Sequence, residues 1–352
     1  MSGSTNPTGE ISKGRYRRQV NFSPLGEAGQ QRLAESTVLV CGCGALGSVA
    51  AELLVRAGVG RVRIVDRDFL ELDNLHRQVL YTEADVDANL PKAIAAAQHL
   101  RQINSSVSIE PYVADVTTEN IATLADGCDA IVDGTDNFET RYLLNDYAVS
   151  TGTPWVFGGC VGAEGQTMAI LPGETACLSC LLPEPPPAEL QPTCDTAGVL
   201  NPIVHTIAAW EAMEALKILS GNVAAVSCRL AVVDLWNNQI RSVGIARREE
   251  SPKCQTCIER DFPWLEGRRG SATVSLCGRN AVQISASSSQ APSLPALAEK
   301  LASIGKVTAN DFLLRLEIDE YRITLFADGR AIIAGTDDPA VARTIFNKYF
   351  GG

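Results

Sequence analysis

The chain has 352 residues, 45% of them hydrophobic, and carries 30 Lys plus Arg against 41 Asp plus Glu, a formal net charge of -11. That length predicts one large domain and a smaller one, and the acidic balance argues against nucleic-acid or anionic-membrane binding. The chain has no apolar run of transmembrane length and no apolar core in "MSGSTNPTGEISKGRYRRQV", so a cytoplasmic location is expected, where eleven cysteines imply metal, catalysis or burial rather than disulfides.

Residues 37 to 66, "TVLVCGCGALGSVAAELLVRAGVGRVRIVD", read as strand, glycine turn, helix and strand, with Leu46, Val49, Leu53 and Leu54 at helical spacing. Further strands are expected at 107–113, 129–133, 154–157 and 166–171, with helices near 91–104, 138–149 and 203–220. This alternation predicts a Rossmann-like, doubly wound α/β sheet, mostly parallel. "PEPPPAELQP" (183–192) reads as an exposed crossing loop, and runs at 228–234 and 239–245 as an antiparallel hairpin around Asn237 and Asn238. From about 271 the pattern changes to strands at 282–285, 312–318, 321–326 and 330–334 and helices at 294–303 and 338–349. The expected division is a large α/β domain over 1–270 and a small α+β domain over 271–352.

"GCGALG" places Gly42, Gly44 and Gly47 between a strand and a helix, where backbone amides can approach a phosphate at the helix N-terminus. Asp66 ends the next strand, where a carboxylate can accept from ribose hydroxyls. The turn alone fits an NAD or FAD enzyme equally well. "DRDFLELDNLHRQ" then adds Asn74, Arg77 and Gln78 within a turn, and Lys92 follows in "LPKA". Cationic side chains suit a triphosphate whose pyrophosphate must leave, surface salt bridging being the plain alternative for Arg77 and Lys92. "DGTDN" ends another strand with Asp136 and Asn137. A carboxylate there suits Mg2+, and a helix N-cap before Phe138 is the plain alternative.

In this order the motifs resemble the MoeB/ThiF/HesA family, relatives of the ubiquitin-activating enzymes, over about residues 15 to 260. "RYRRQV" resembles the family's R-Y-x-R-Q element, which makes Arg18 the arginine expected to cross a homodimer interface to the partner's ATP. The resemblance implies that Asp66 contacts ribose, that Arg77, Lys92 and Arg18 contact phosphates, and that Asp136 holds Mg2+. It implies adenylation of the C-terminal glycine of a ubiquitin-fold sulfur carrier ending in Gly-Gly, in molybdopterin, thiamine or related sulfur transfer. A separate sulfurtransferase could then donate the sulfur. The alternative kept open is an NAD-dependent oxidoreductase using the same glycine turn.

Cys177 and Cys180 form "CLSC", and Cys254 and Cys257 form "CQTC", with 73 residues between the pairs. Two CxxC pairs supply four thiolates for one tetrahedral structural Zn2+; a thioredoxin-like redox pair is the competing reading. Cys194, in "QPTCDTAGVLNP", follows the proline-rich run and resembles the family's C-x-T-x-G-V transfer cysteine, against the default that a free cysteine is buried. Pro202 suits the first turn of the next helix. The closing "NKYFGG" reads as a helix with a glycine cap rather than as a carrier tail.

Overall fold

β-branched and aliphatic runs build the central strands, and because helices cover both faces those runs are buried throughout. The structure is a computed structural model describing residues 14–186, 194–250, 252–269, 275–276, 280–284, 293–327 and 329–350. Cys194 and Asp195 are described in their backbone alone. Most of the proline-rich run, Cys277 and the closing Gly-Gly lie outside the described residues. Two compact units divide the chain, Met1–Arg269 and Gly270–Gly352.

The first unit holds an eight-stranded sheet in the order β3-β2-β1-β4-β5-β6-β7-β8. β1 (Thr37–Cys41), β2 (Arg61–Val65), β3 (Ser108–Tyr112), β4 (Ala130–Asp133) and β5 (Trp155–Val161) run parallel. β6 (Glu164–Ile170), β7 (Arg229–Asp234) and β8 (Gln239–Gly244) extend the sheet antiparallel. Alternate residues of β1 serve opposite cores. Val38 and Val40 pack with Leu46, Val49 and Leu54 of the Ala45–Ala57 helix, whereas Leu39 and Cys41 pack with Tyr142 and Leu144 of the Phe138–Thr151 helix. The Lys92–Ile103 and Asn201–Leu219 helices join the first face. The β7–β8 hairpin turns where expected, with Asn238 at φ 55° in the left-handed region asparagine tolerates.

Two sequence expectations need amending. The Gly26–Glu35 helix was not foreseen; it buries only Gly29 and Leu33, too few apolar positions to show a period. Beyond the expected crossing loop, Cys194 opens a one-turn helix that was not foreseen either, Cys194–Ala197, ahead of the Asn201–Leu219 helix, which carries a proline in its first turn as expected.

The second unit is an antiparallel sheet in the order β11-β12-β13-β14-β10-β9. Its strands are β9 (Ser275–Leu276), β10 (Ala281–Ile284), β11 (Lys306–Ala309), β12 (Leu313–Ile318), β13 (Tyr321–Phe326) and β14 (Ala331–Ala334). The Leu294–Leu301 and Pro339–Phe350 helices cover one face through Leu294, Leu301, Ala342 and Ile345. β9 and β11 escaped the sequence reading: the first has two residues, and the second is an edge strand whose residues are mostly exposed.

Candidate active site

The strand order reverses between β1 and β4, and in such sheets ligands bind beyond the strand C-termini at that point. The glycine turn follows β1 and the Gly134–Asn137 loop follows β4, so the two loops meet there. They meet backbone to backbone. A Cβ on Gly42, whose φ is +82°, would lie 2.6 Å from the Gly134 carbonyl oxygen, and one on Gly47 would lie 1.8 Å from the Gly42 carbonyl oxygen. Gly44 differs, because a Cβ there would meet only Gln78 Nε2, at 3.8 Å. Two of the three glycines therefore close the packing, and the third leaves its backbone open at the N-cap of the Ala45–Ala57 helix, where amides and the helix dipole favour an anion.

A chain of carboxylates and amides fixes this turn. Asp66 accepts from the Cys43 amide at 2.6 Å through Oδ2 and from the Asp68 amide at 2.7 Å through Oδ1. Burial pushes its carboxyl above the ordinary range, against the pull of Lys92 and the two amides. A ribose hydroxyl would have to use the remaining lone pairs of these oxygens. Lys92 opens its helix with only 5% of its side chain exposed, and its Nζ lies 3.0 Å from Asp68 Oδ2, so surface salt bridging does not describe it. Asp68, which sequence reasoning missed, follows Asp66 by two residues in the acidic "DRD" just beyond β2; that repeat was the available signal.

The remaining residues of the "DNLHRQ" turn divide by role. Asn74 is buried in a capping box, accepting from the Glu71 amide and donating to Asp73, so its side chain shapes the turn. Gln78 is buried beside Gly44 with its Oε1 unpartnered among the described residues. Arg77 is half-buried and donates from Nη1 to the Asp73 carbonyl at 2.9 Å. Arg18 stands apart, exposed on the Arg17–Val20 helix. Its neighbours dock at the far end of the Ala45–Ala57 helix, Gln19 donating to the Ala57 carbonyl and Tyr16 packing on Gly58.

Across the switch point, Asn137 caps the Phe138–Thr151 helix by accepting from the Thr140 amide at 2.9 Å, which leaves Asp136 exposed. Asp136 also contributes to raising Arg67, after Asp115 and Asp68 have outweighed the effect of burial. The loop is held from beneath by a buried arginine that the sequence did not advertise. Arg141 bonds Asp133 Oδ2 at 3.2 Å and the carbonyls of Thr135 and Gly158 at 2.7 and 3.0 Å. Glu211 lies against Gly158 with neither carboxylate oxygen hydrogen-bonded among the described residues, and burial, reinforced by Asp133, pushes it well above the carboxylate range.

The four CxxC sulfurs gather into one cluster, all within 4.8 Å of one another. Cys177 Sγ lies 4.0 Å from Cys180 Sγ and 3.6 Å from Cys254 Sγ, and Cys180 Sγ lies 3.4 Å from Cys257 Sγ. A tetrahedron with Zn–S bonds of about 2.3 Å has edges of roughly 3.8 Å. The set fits zinc and is too open for disulfides. Sharing protons between sulfurs pushes Cys177 up and Cys180 down, which a dication would replace.

At the edge of the sheet where the parallel strands end, the edge that carries the glycine turn, lies a cavity of about 430 Å³ between the end of β5 and the end of β7, walled by Gly162, Glu164, Leu200, Asp234, Trp236 and Asn237. Trp236 and Leu200 are exposed there, and Ala197 to Leu200 bring in the segment following Cys194.

A doubly wound sheet, an anion-ready glycine turn beside a buried lysine and four clustered cysteines able to hold a metal ion define the class of a nucleotide-binding domain. The ThiF family matches residues 16–256, and the chain belongs to it. It is 45% identical over 341 residues to the sulfur carrier protein ThiS adenylyltransferase of Bacillus subtilis (strain 168), covering 96% of this chain and 99% of that one. It is 40% identical over 248 residues to a sulfur carrier protein adenylyltransferase of Thermus thermophilus, covering 69% and 90%. It is also 40% identical over 245 residues to the adenylyltransferase and sulfurtransferase MOCS3 of Anopheles gambiae, covering 70% of this chain and 55% of that one. Among solved structures, E. coli MccB with ATP shares the fold at a TM-score of 0.57 and 23% identity, over 69% and 74% of the chains. These relatives favour adenylation over the oxidoreductase alternative. No helix among the described residues is long and apolar enough to cross a membrane.

Proposed function

We propose that this chain is an ATP-dependent adenylyltransferase acting on the C-terminal glycine of a ubiquitin-fold sulfur carrier that ends in Gly-Gly, in the reducing cytoplasm. The observation that carries the reading is the open backbone at Gly44 beside the buried Lys92, at the switch point of a ThiF-family sheet. The terminal carboxylate attacks the α-phosphorus of ATP, the new P–O bond forms, and the bond to pyrophosphate breaks. Catalysis of this kind is positioning and charge neutralisation, with no covalent nucleophile required. The turn at Gly44 receives phosphate, Lys92 balances charge on the departing pyrophosphate, and Arg77 exchanges its carbonyl tether for a phosphate oxygen. Asp66 orients ribose. Asp136, left exposed because Asn137 makes the cap, would hold Mg2+, which when bound neutralises phosphate charge.

Arg18 supports a homodimer. Its helix docks at the C-terminal end of the 13-residue Ala45–Ala57 helix, roughly 18 Å along the axis from the turn, beyond one arginine's reach. An arginine that cannot serve its own site is suited to serve a partner's. The carrier tail runs along the sheet edge from the Trp236 cavity to the nucleotide. The thiolate of Cys194 then attacks the acyl carbon, AMP leaves, and a thioester forms for sulfur transfer. The decisive experiment is carrier-dependent exchange of labelled pyrophosphate into ATP with Mg2+. Exchange lost in Arg77→Ala and Lys92→Ala is expected; no exchange with any Gly-Gly carrier, or NADH binding in place of ATP, sinks the reading.

A further inference from the structure

Each CxxC arm carries a hydroxyl residue between its cysteines, Ser179 in one and Thr256 in the other, and both are buried. They meet over two adjacent residues of the Phe138–Thr151 helix, Asn145 and Asp146, each of which has no exposed surface. Asn145 Oδ1 accepts from the Leu178 amide at 2.9 Å, which fixes the orientation of its side-chain amide, and its Nδ2 donates to Ser179 Oγ at 3.2 Å. Ser179 Oγ lies 3.0 Å from Thr256 Oγ1, and Thr256 Oγ1 donates to Asp146 Oδ1 at 3.1 Å. The other Asp146 oxygen accepts from the Trp264 and Leu265 amides at 2.9 and 3.4 Å. Burial pushes Asp146 up to about 6, so above that pH it is a carboxylate and the proton count leaves one arrangement. Thr256 has a single hydroxyl hydrogen and gives it to Asp146, so Ser179 donates to Thr256 and Asn145 donates to Ser179. The chain runs one way, from an amide on the helix through both arms and back to a carboxylate on the same helix.

We propose that Asn145 and Asp146 are positioning residues for the metal site, holding the two CxxC arms at metal-ready separation before the ion arrives. The sequence places the arms 73 residues apart, so bringing the pairs together costs loop-closure entropy. The hydrogen-bonded bridge holds one arm against the other without touching a sulfur. Partners behind metal ligands commonly set metal affinity by roughly 10- to 100-fold, and a preassembled site saves the ordering of the arms that binding would otherwise require. The inference rests on reading the four cysteines as a metal site.

The test compares the full chain with Asn145→Ala, Asp146→Ala and the conservative Asp146→Asn. Zinc affinity is measured by competition with a chromophoric chelator, and thermal melting is recorded with zinc and with excess chelator. The alanine variants are expected to bind zinc about 10- to 100-fold more weakly and to lose much of the metal-dependent rise in Tm. Asp146→Asn, which keeps an acceptor for the two amides but turns an amino group towards Thr256, should fall between the wild type and the alanine variants in both. Unchanged affinity with melting lowered equally in zinc and in chelator overturns the proposal. If the alanine variants do not fold, Ser179→Ala and Thr256→Ala break the bridge more gently, and wild-type affinity in both overturns it equally. A wild-type chain that takes up no zinc refutes the metal-site reading itself, a distinct result.

Discussion

Alanine at Gly44 and alanine at Gly47 should do opposite things, although both glycines belong to one motif. A Cβ at Gly47 would stand 1.8 Å from the Gly42 carbonyl oxygen and 2.9 Å from its carbon, both backbone atoms that cannot rotate away. The Ala45–Ala57 helix must lift off β1 to admit it. Overpacking typically costs about 1 to 3 kcal/mol, and a backbone clash belongs at or above the top of that range. In a domain of this size the Tm should fall by roughly 6 to 12 °C. A Cβ at Gly44 meets nothing closer than Gln78 Nε2 at 3.8 Å, so the fold loses only about 1 kcal/mol from alanine at an N-cap. The methyl group then occupies the space a phosphate needs, and ATP affinity should fall about 100-fold, near 2.7 kcal/mol. Thermal melting and titration with ATP on both variants make the assay. Wild-type ATP affinity in Gly44→Ala, or equal loss of stability in the two, refutes the division of labour within the turn.

Lys92→Met removes a buried cation that faces Asp68 and also draws down the buried Asp66 carboxyl, so stability should fall by about 3 kcal/mol while pyrophosphate exchange in the folded variant falls by roughly 100-fold or more; near-normal exchange would dismiss its phosphate role. Cys43 is pushed up to about 12, chiefly by burial. At pH 8 it should alkylate roughly a thousandfold more slowly than a thiol of ordinary pKa, rising about tenfold per pH unit while the fold holds; mass spectrometry of the labelled peptide checks both statements. Cys194→Ser should leave pyrophosphate exchange intact and abolish thiocarboxylate formation on the carrier, and full sulfur transfer in that variant would make Cys194 a bystander. Trp236→Ala should raise the KM for the carrier several-fold with ATP binding unchanged, and unaltered carrier kinetics would remove the cavity from the carrier's path.

The parallel strands and their helices were legible because β-branched runs and helical spacing are local signals, and glycine, acidic and CxxC motifs mark their own positions. Less legible were features made by distant residues meeting. Asn74 looks like a ligand in one dimension and is a turn-former in three, since its neighbours Glu71 and Asp73 take both ends of its amide. Arg141 and Glu211 carry no motif at all; they lie in helices otherwise readable only by their apolar faces, and their meaning depends on β4 and β5 passing beside them. Asp68 was overlooked because Asp66 satisfied the expected pattern two residues earlier.

The four-cysteine knot has a topological effect as well as a local one. It joins Cys180 to Cys254 and so closes a loop of 73 intervening residues that contains Cys194, the Asn201–Leu219 helix and the β7–β8 hairpin. If the ion fastens that loop as firmly as a covalent link, the unfolded chain loses entropy worth about 4 to 5 kcal/mol. It would be a cross-link that glutathione does not cut and a chelator does. A backbone nick within the loop would then leave two fragments fastened together, releasing them only when metal is withdrawn.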